Sequence, residues 1–375
     1  MARLSAAEFF AGIGLVRRAL EAGGVDVVYA NDIDRLKARM YEANFGERDF
    51  HLGDIADVRP RDIPDVDIAT ASFPCTDLSL AGNRAGLDGP ESGAFWHFAD
   101  ILDGLGRRRP QAILLENVAG LGTSRGGKDL TAALRTLNAL GYACDIVQLN
   151  AVRWVPQSRP RVFVVGTLGD LADPGDWGPD ELRPEWISRF VESHPALHLE
   201  PARLELPPPV EGRLSDLVER LDMDDERWWE ASRFGRFVES LSQTQLDRLL
   251  AMRDGRKVTW RTAYRRTRFG RPVWEIRADE ISGCLRTARG GSSKQAVVEA
   301  GRGYMNARWM TANEYAALMG ARGHVTVSEG VSENQAIFGL GDAVCVPAVI
   351  WLVREYLVPL ARGRLTGAKK VAVAV

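Results

Sequence analysis

The sequence predicts an α/β fold in which a mostly parallel sheet has helices on both faces and an antiparallel hairpin at one edge. Residues 1–168 alternate short apolar, β-rich runs with longer helical patterns, which is typical of a doubly wound sheet. The last two runs are joined by a polar loop too short for a crossover helix, so they are expected to pair antiparallel. Segments rich in Pro, Gly and acids follow, which indicates a second, smaller domain.

The expected elements follow from these patterns in order along the chain. Strands are predicted near residues 5–9, 26–30, 66–73, 112–117, 143–149 and 161–167. Helices are predicted near residues 14–22, 34–44, 93–106 and 128–139. Helical patterns return after residue 303, and "AVCVPAVIWLVREYL" is apolar on most faces, so it should pack against the first domain. The expected division is a first domain of residues 1–180 and 304–362, a second of 181–303 and a disordered tail of 363–375.

Composition excludes several classes of protein. The chain has 375 residues, of which 45% are hydrophobic, so it can bury a sizeable core. Its four cysteines are far apart and form no CxxC pair, which argues against a disulfide framework and against a zinc site, so no metal is expected. It has no long uncharged apolar segment and no cleavage site after its first short apolar run, which predicts a cytoplasmic protein without membrane association.

Charge is unevenly distributed, although the formal net charge is only −2. Residues 170–226 carry 16 acidic and 5 basic side chains, whereas residues 253–302 carry 13 basic and 5 acidic ones. The basic stretch interleaves Arg with Trp, Tyr and Phe in "RKVTWRTAYRRTRFGRPVW", a mixture that suits phosphates and bases. It favours a nucleic-acid partner, and the acidic stretch is expected to face solvent.

Glycines and acids after the first strands indicate a nucleoside pocket. Gly12 and Gly14 in "EFFAGIG" stand where a strand turns into a helix, so the backbone can approach a ligand closely. Arg17 occupies the place of the third glycine of a dinucleotide fingerprint, which disfavours an oxidoreductase. Asp32 and Asp54 stand where carboxylates can accept hydrogen bonds from ribose hydroxyls and an exocyclic amine. Taken singly, each acid is better explained as a cap or turn residue.

A cysteine and a glutamate are predicted to share one edge of the sheet. Cys75 in "SFPCTDLSLAG" follows a buried strand and precedes a glycine-rich loop suited to a lid. Glu116 in "ILLENV" ends the strand expected beside it. An acid in such an apolar run is costly to bury, which indicates a functional residue. An isolated cysteine is usually a buried small hydrophobe. A thiol beside a carboxyl favours nucleophilic catalysis instead.

The order of these motifs resembles that of bacterial DNA (cytosine-5) methyltransferases of the restriction-modification kind. "FAGIG" resembles the S-adenosylmethionine loop, "NDID" and "GDI" the ribose and adenine contacts, "FPC" the nucleophile, "ENV" the acid and "QSRPR" the substrate-orienting arginines. "GLGDAVCVPAV" resembles the last block, which in the family closes the methionine end of the cofactor pocket. The resemblance spans residues 8–349. It implies a Rossmann-like S-adenosylmethionine-dependent methyltransferase domain plus a smaller target-recognition domain.

The resemblance also implies roles for individual residues. Catalysis is assigned to Cys75, Glu116, Arg159 and Arg161. Residues assigned to S-adenosylmethionine are Phe10, Ala11, Gly12, Gly14, Asp32, Ile33, Asp54, Ile55, Pro74, Phe95, Asp342 and Ala343. With the basic stretch and the lid taken into account, the residues expected to bind DNA are Ser79, Gly82, Arg265, Arg266, Arg286, Thr287, Arg289 and Gly290. The chain departs from the family at Thr76, where Gln is common, and at Asp342, where Asn is common.

The implied reaction is methyl transfer to carbon 5 of a cytosine flipped out of the duplex. Cys75 adds to ring carbon 6 as a thiolate, which makes carbon 5 nucleophilic. Glu116 at ring N3 draws electron density away from carbon 6, while Arg159 and Arg161 hold the base carbonyl and the thiol loop.

The expected partners are double-stranded DNA and a cognate restriction endonuclease, and the protein is expected to be a monomer. Three alternatives stay open: an RNA (cytosine-5) methyltransferase, a catalytically silent DNA-binding protein on the same scaffold, and a Rossmann oxidoreductase. The tRNA branch usually carries a CFT-type signature in its second domain, and this sequence has none. The pair of Cys75 and Glu116 speaks against the other two.

Overall fold

The computed structural model describes residues 3–74, 93–268, 270–286, 294–324 and 330–365. Its contacts divide the chain into two compact units. Unit 1 comprises Met1–Asn150, Pro160–Pro207 and Val346–Val375. Unit 2 comprises Ala151–Arg159 and Pro208–Cys345.

A seven-stranded sheet forms the centre of unit 1 as far as the chain is described, with strand order β3-β2-β1-β4-β5-β7-β6. The strands are β1 (Leu4–Phe9), β2 (Val25–Asp32), β3 (Phe50–Leu52), β4 (Ile68–Ala71), β5 (Ala112–Val118), β6 (Tyr142–Asn150) and β7 (Pro160–Leu168). The first five pair in parallel, and β7 pairs antiparallel with both β5 and β6. The predicted mostly parallel sheet with an antiparallel edge hairpin is confirmed. The short strand β3 was not predicted.

The first four helices lie between strands of the seven-stranded sheet in sequence, whereas the helices of unit 2 come before and after its four strands. The helices are α1 (Leu15–Ala22), α2 (Arg35–Phe45), α3 (Ala94–Leu105), α4 (Lys128–Ala139), α5 (Glu185–Glu192), α6 (Ala231–Glu239), α7 (Gln243–Arg253), α8 (Ala312–Leu318), α9 (Glu333–Asp342), α10 (Val346–Leu352) and α11 (Val358–Ala361). Local sequence sets their ends. Helix α2 begins after Asp34, whose carboxylate accepts hydrogen bonds from the amides of Leu36 and Lys37, and it ends at Gly46, which has a positive φ of 78°.

The core of unit 1 extends further along the chain than the predicted boundary at residue 180. Ile187 and Phe190 of α5 are buried in the same hydrophobic cluster as Leu115 of β5 and Leu134 of α4. Arg183, just before α5, is buried and forms an ion pair of 2.6 Å with Asp145 of β6. These contacts hold residues 169–207 in unit 1, although their Pro- and acid-rich composition predicts the start of a second domain.

Unit 2 contains an antiparallel sheet of order β11-β10-β8-β9, formed by β8 (Thr259–Arg268), β9 (Arg271–Ile276), β10 (Ala296–Gly301) and β11 (Tyr304–Trp309). Its core is rich in aromatic rings. Trp229 lies 5.1 Å from Trp309 and 5.4 Å from Trp274, measured between ring centroids. Strand β11 pairs with β10 along its whole length. Unit 2 extends to Cys345, whereas the predicted return to the first domain begins at 304.

The C-terminal helix α10 of unit 1 contacts the first helix of that unit. Helix α10 packs against α1, and Val353 comes so close to Gly23 that an added Cβ there would lie 2.2 Å from a valine methyl. The helical stretch Glu333–Ala361 has the length and apolar composition of a membrane-spanning helix, but 72% of its most apolar window is buried inside the structure. Helices in the core of water-soluble proteins share these properties.

A close contact inside the sheet gives a test of the fold. Gly166 of β7 pairs with Ile113 of β5, and a Cβ at Gly166 would lie 2.7 Å from the Ile113 Cγ1 atom. Gly166→Ala should therefore lower the free energy of unfolding by about 1 to 3 kcal/mol through overpacking. In a double-mutant cycle measured by urea unfolding, Ile113→Ala should relieve part of this loss. Fully additive losses would contradict the assigned strand register.

Candidate functional site

The turn between β1 and α1 is held by a single carboxylate. Gly12 and Gly14 have positive φ values of 56° and 83°, a conformation that glycine adopts without a steric penalty. The amide of Gly12 donates to Asp32 Oδ2 at 2.7 Å, and the amide of Asp34 donates to Asp32 Oδ1 at 2.8 Å. Asp32 at the end of β2 thus fixes the turns that follow both β1 and β2.

The neighbourhood of Asp32 combines polar and apolar groups. Burial raises the pKa of Asp32, while amide donors and Lys37 oppose this rise. The next residue, Ile33, leaves 66% of its surface exposed, which is unusual for a large aliphatic side chain. The side-chain amide of Asn31 donates to the carbonyls of His51 and Gly53. These bonds hold the backbone that leads to Asp54.

Asp54 and Gly14 have clear structural roles in this region. Asp54 is exposed, and its Oδ1 atom accepts from the amide of Ala56 at 2.9 Å, so it caps the short helical turn that follows. A Cβ at Gly14 would lie 2.4 Å from a ring carbon of Phe45. Residue 14 must therefore be glycine, because α2 packs directly against the turn at this position.

A buried polar network follows the turn. The Arg17 guanidinium bonds Tyr41 at 3.1 Å, Glu21 at 2.7 Å and Asp49 at 3.3 Å, and it lies 4.9 Å from the centroid of the Phe45 ring. Where a dinucleotide fingerprint has its third glycine, this chain thus places an arginine that ties α1 to α2.

Glu8 is a buried acid that the sequence analysis missed. It is 1% exposed, its Oε1 atom accepts from the Arg17 amide at 3.2 Å, and its Oε2 atom has no hydrogen-bond partner among the described residues. Burial raises its pKa to about 8. The signal was present in the sequence, because Glu8 interrupts an apolar run in the same way as Glu116.

The other residues assigned to the cofactor differ in how much surface they offer. Phe10 has a positive φ of 57°, a strained conformation for a residue with a side chain. Phe95 has no exposed surface and packs against Phe73 with ring centroids 5.5 Å apart, and Ile55 is likewise buried in the core. The structure therefore shows Phe95 and Ile55 as core residues, whereas Phe10 and Pro74 are partly exposed.

The strand that leads to Cys75 lies beside the strand that carries Glu116. Strands β4 and β5 are parallel, with Ala71 paired to Leu115. Beyond this pair, the side-chain amide of Asn117 donates to the carbonyl of Phe73 at 3.1 Å. Cys75 lies outside the described residues, but Phe73, two positions before it, is tied to the residue that follows Glu116. Asn117 belongs to the "ENV" motif, in which only Glu116 has a predicted role.

Glu116 and Arg161 form an ion pair at this edge. The Arg161 Nε atom lies 3.0 Å from Glu116 Oε1, and both side chains are largely buried. Antiparallel pairing of Val118 with Arg161 explains the contact, because it puts the arginine diagonally across from Glu116 on one face. Two of the predicted catalytic residues are thus brought together.

Arg159 bonds residues of unit 2. It is 1% exposed. Its Nη1 atom donates to the carbonyl of Leu285 at 2.7 Å, and its Nη2 atom donates to the carbonyls of Gly341 at 3.0 Å and Ala343 at 2.6 Å. The role in holding a base that the sequence predicts for Arg159 stays a prediction, and in the structure its guanidinium bonds these backbone carbonyls. Of the residues assigned to the last block, Asp342 is exposed and Ala343 is partly exposed.

The basic stretch forms much of the sheet of unit 2. Arg266 is exposed on β8, where Glu275 lies 3.4 Å from it and 2.7 Å from Arg268. Arg265 is partly buried, and Arg286 is exposed. The remaining residues expected to bind DNA lie outside the described part of the chain: Ser79, Gly82, Thr287, Arg289 and Gly290.

One group of metal-ligand side chains occurs in the described residues. Asp170, His198 and Glu200 place one ligand atom each within 4.8 Å of one another, and both Asp170 and His198 are exposed. Such exposed groups are common without a metal. The expected absence of a metal stays a prediction.

The fold and the site together define a class of protein, an α/β domain in which the strand that precedes Cys75 in sequence lies parallel to the strand that carries Glu116. The sequence profile of the family described as "C-5 cytosine-specific DNA methylase" matches residues 4–356. The chain belongs to this family.

Curated relatives and solved structures agree with this assignment. The chain is 39% identical over 160 residues to Type II methyltransferase M.NgoBI of Neisseria gonorrhoeae, covering 42% of this chain and 49% of that protein. It is 40% identical over 165 residues to Type II methyltransferase M.HaeII of Haemophilus aegyptius, covering 44% of this chain and 50% of that protein. The chain spans about half the length of the curated relatives it matches.

The fold is also that of the Entamoeba histolytica methyltransferase EhMeth, with a TM-score of 0.66, 16% identity and coverage of 98% of this chain and 100% of that one. The S. pombe Dnmt2 methyltransferase gives a TM-score of 0.59 at 21% identity, with 96% and 99% covered. At these identities the likeness concerns the fold alone.

Replacing Glu8 with Gln should remove a pH dependence of stability. The pKa of Glu8 is raised from 4.5 to about 8 in the folded chain, so unfolding releases its proton between these values. The wild type should lose stability as pH rises through this window, by at most about 1.4 kcal/mol per pH unit. Urea unfolding at a series of pH values should show this slope in the wild type and a smaller slope in Glu8→Gln.

The control for this measurement is Glu47→Gln, because Glu47 is exposed on the same unit. The control should keep the wild-type slope. Equal slopes for the wild type and Glu8→Gln would show that Glu8 does not titrate in this range.

Proposed function

We propose that the protein is a sequence-specific DNA (cytosine-5) methyltransferase that takes its methyl group from S-adenosylmethionine. The observation that carries this proposal is the pairing of β4 with β5, reinforced by the hydrogen bond from Asn117 to the Phe73 carbonyl. It puts the backbone leading to Cys75 beside the strand end that carries Glu116. A nucleophile and an acid at one edge are what addition to a pyrimidine ring requires.

The residues around Asp32 fit a nucleoside with a charged tail. The added Cβ of an alanine at Gly12 would meet nothing closer than 4.0 Å, so one side of the turn is open to a ligand. Exposed Ile33 offers an apolar face suited to a purine ring. Asp32 retains acceptor capacity on both oxygens for ribose hydroxyls after its two amide bonds. S-adenosylmethionine would supply an electrophilic methyl group there.

This proposal assigns bond formation, hydrogen bonding to the base and positioning to residues of the chain. Cys75 forms the bond to ring carbon 6. Glu116 hydrogen-bonds the ring at N3, and Arg161 holds the Glu116 side chain in place through the ion pair of 3.0 Å. Asn117 fixes the approach of the cysteine segment through the Phe73 carbonyl. A base inside a duplex cannot be reached from both faces, so the target cytosine leaves the stack.

Several features favour DNA over RNA as the substrate. The relatives that match at 39% and 40% identity are named Type II methyltransferases, and the family profile is that of a DNA methylase. Unit 2 contributes exposed arginines, among them Arg266 and Arg286, which suit phosphates and guanine edges. A cognate restriction endonuclease that acts on the same DNA recognition sequence is the expected partner. Bisulfite sequencing of DNA from cells that express the protein would identify this recognition sequence.

Cys75→Ser should abolish methyl transfer and leave DNA binding unchanged. Serine is a much weaker nucleophile toward carbon 6, so the rate should fall by roughly 10³-fold or more. The measurement is transfer of a radiolabelled methyl group to the identified site, with a gel-shift assay for binding. A duplex containing 5-fluorocytosine at the target should trap the wild type covalently and not the variant. Substantial turnover by the variant would exclude the covalent mechanism.

Asp32→Ala should weaken S-adenosylmethionine binding about 10- to 100-fold, the effect of losing one or two hydrogen bonds to a charged group. The rate constant at saturating cofactor should change much less, because these bonds are made equally in the ground and transition states. Isothermal titration checks the affinity, with Asp57→Ala as the control, since Asp57 is exposed in the same region. Unchanged affinity would rule out the ribose assignment.

A further inference from the structure

Unit 2 contains a cavity of about 310 Å³ between the end of α7 and the start of β8. Arg248, Lys257 and Arg261 contribute three cationic side chains to its wall, and none of its lining residues within the described chain is an acid. Met252 of α7 adds an apolar surface. The volume lies at the lower end of the range for small-molecule sites, so the cavity suits a small, negatively charged group.

Two of these cations have no acidic partner in the part of the chain that the structure describes. Lys257 is exposed, and its ammonium forms no hydrogen bond or ion pair with any described residue. Half-buried Arg248 donates to the Ile276 carbonyl and to Gln245 Oε1, and both of these groups are neutral. The positive charges of Lys257 and Arg248 are therefore available to a ligand.

The third cation, Arg261, and the acids near the cavity already have partners. Arg261 Nη1 lies 3.1 Å from Glu280 Oε1, and the buried Arg261 Nε atom has no hydrogen-bond partner among the described residues. The acids that stand next in sequence to lining residues have partners of their own: Asp247 accepts from Gln243, Asp254 pairs with Arg253 and Asp279 pairs with Arg277. No ion pair within the described residues thus neutralises the two remaining cations.

Hydrogen bonds from neighbouring elements hold the walls of the cavity in place. Gln245 Oε1 accepts from the Ile276 amide at 2.7 Å, which together with the Arg248 bond ties α7 to the end of β9. The Arg302 amide donates to the Gly255 carbonyl at 2.8 Å, which ties the turn after β10 to the end of α7. A site held in this way loses little conformational entropy when a ligand binds.

The cavity lies on the sheet face that α7 covers. Side chains of a strand alternate between the two faces, so Arg261 and Ala263 of β8 share one face. Ala263 belongs to the same hydrophobic cluster as Met252 of α7, which identifies this face as the covered one. Arg266 therefore projects from the opposite face, and Arg265 lies about 13 Å further along the strand than Arg261. The cavity is thus distinct from the two residues of β8 that are predicted to bind DNA.

We propose that this cavity binds a phosphate group, with Lys257 and Arg248 as its charged contacts. An ammonium and a guanidinium both form charge-assisted hydrogen bonds with phosphate oxygens. Met252 then contacts the organic part of the ligand. Phosphate groups occur in free nucleotides and in the backbone of DNA, and the experiment distinguishes these two sources. The inference goes beyond the proposed function, because the cavity contains none of the residues assigned to methyl transfer.

The methyl group of Met252 provides a signal that reports on the cavity. In the NMR spectrum of protein labelled with carbon-13 at the methionine methyl groups, this signal is identified by its loss in Met252→Leu. Titration with inorganic phosphate, and separately with adenosine 5′-monophosphate, should shift the signal to saturation at an ionic strength kept constant with chloride. Adenosine, which has no phosphate, should leave it unchanged. The absence of a saturable shift with both phosphate probes would overturn the proposal.

Replacement of Lys257 tests the charged contact. Lys257→Gln should weaken phosphate binding about 3- to 10-fold through loss of one partly screened charged contact, and Lys257→Arg should restore it. The matched control is Arg233→Gln, which removes an exposed cation of α6 that does not line the cavity. The control should bind phosphate as the wild type does. Unchanged affinity in Lys257→Gln, or an equal loss in the control, would contradict the assignment.

The salt dependence of duplex binding identifies the source of the phosphate. If the cavity takes a phosphate of the DNA backbone, the slope of log K against log salt concentration should fall by about one in Lys257→Gln and stay unchanged in Lys257→Arg. An unchanged slope in Lys257→Gln, together with the saturable NMR shift, assigns the cavity to a free phosphorylated ligand. Absence of methyl transfer would reject the proposed function and leave the phosphate site standing, because the NMR titration does not require methyl transfer.

Discussion

The parallel register between β4 and β5 is the constraint on which the candidate site depends. Hydrogen bonding between parallel strands fixes which residues lie side by side at the strand ends. Because Ala71 pairs with Leu115, Phe73 and Glu116 lie at the same edge of the sheet. A shift of one residue would turn Glu116 to the other face. The bond from Asn117 extends this register beyond the last strand pair. The candidate site thus takes its geometry from the sheet itself.

Unit 1 was predictable because its elements have strong local signals. The apolar runs before Glu116 and Cys75 read as buried strands, and the short polar connection between β6 and β7 allowed only an antiparallel pair. The predicted domain boundary near residue 180 differs from the end of this part of unit 1 at Pro207. Composition there is that of a linker, but Ile187 and Phe190 are spaced to bury one face of α5 in the core. Burial of a few spaced apolar residues outweighed the surrounding prolines and acids.

The sheet of unit 2 and the backbone contacts of Arg159 could not be predicted from local pattern. Strands β8 and β9 are rich in arginine, which hides their alternation. Strand β8 also pairs with the distant strand β10, with Ala263 opposite Ala296. The carbonyls of Leu285 and Gly341, which accept from the Arg159 guanidinium, lie more than a hundred residues away from it in sequence. Glu8 differs, since an acid inside an apolar run is visible in the sequence, and only its missing partner required the structure.

The packing of α10 on α1 has a consequence for how the chain is made. Unit 1 is discontinuous in sequence, and helix α10, which packs against α1, begins only at Val346. During synthesis on the ribosome, the apolar face of α1 and the small surface at Gly23 stay uncovered until unit 2 has emerged. Completion of the first unit is therefore one of the last folding events. A nascent chain stalled within unit 2 would expose that face to chaperones and proteases.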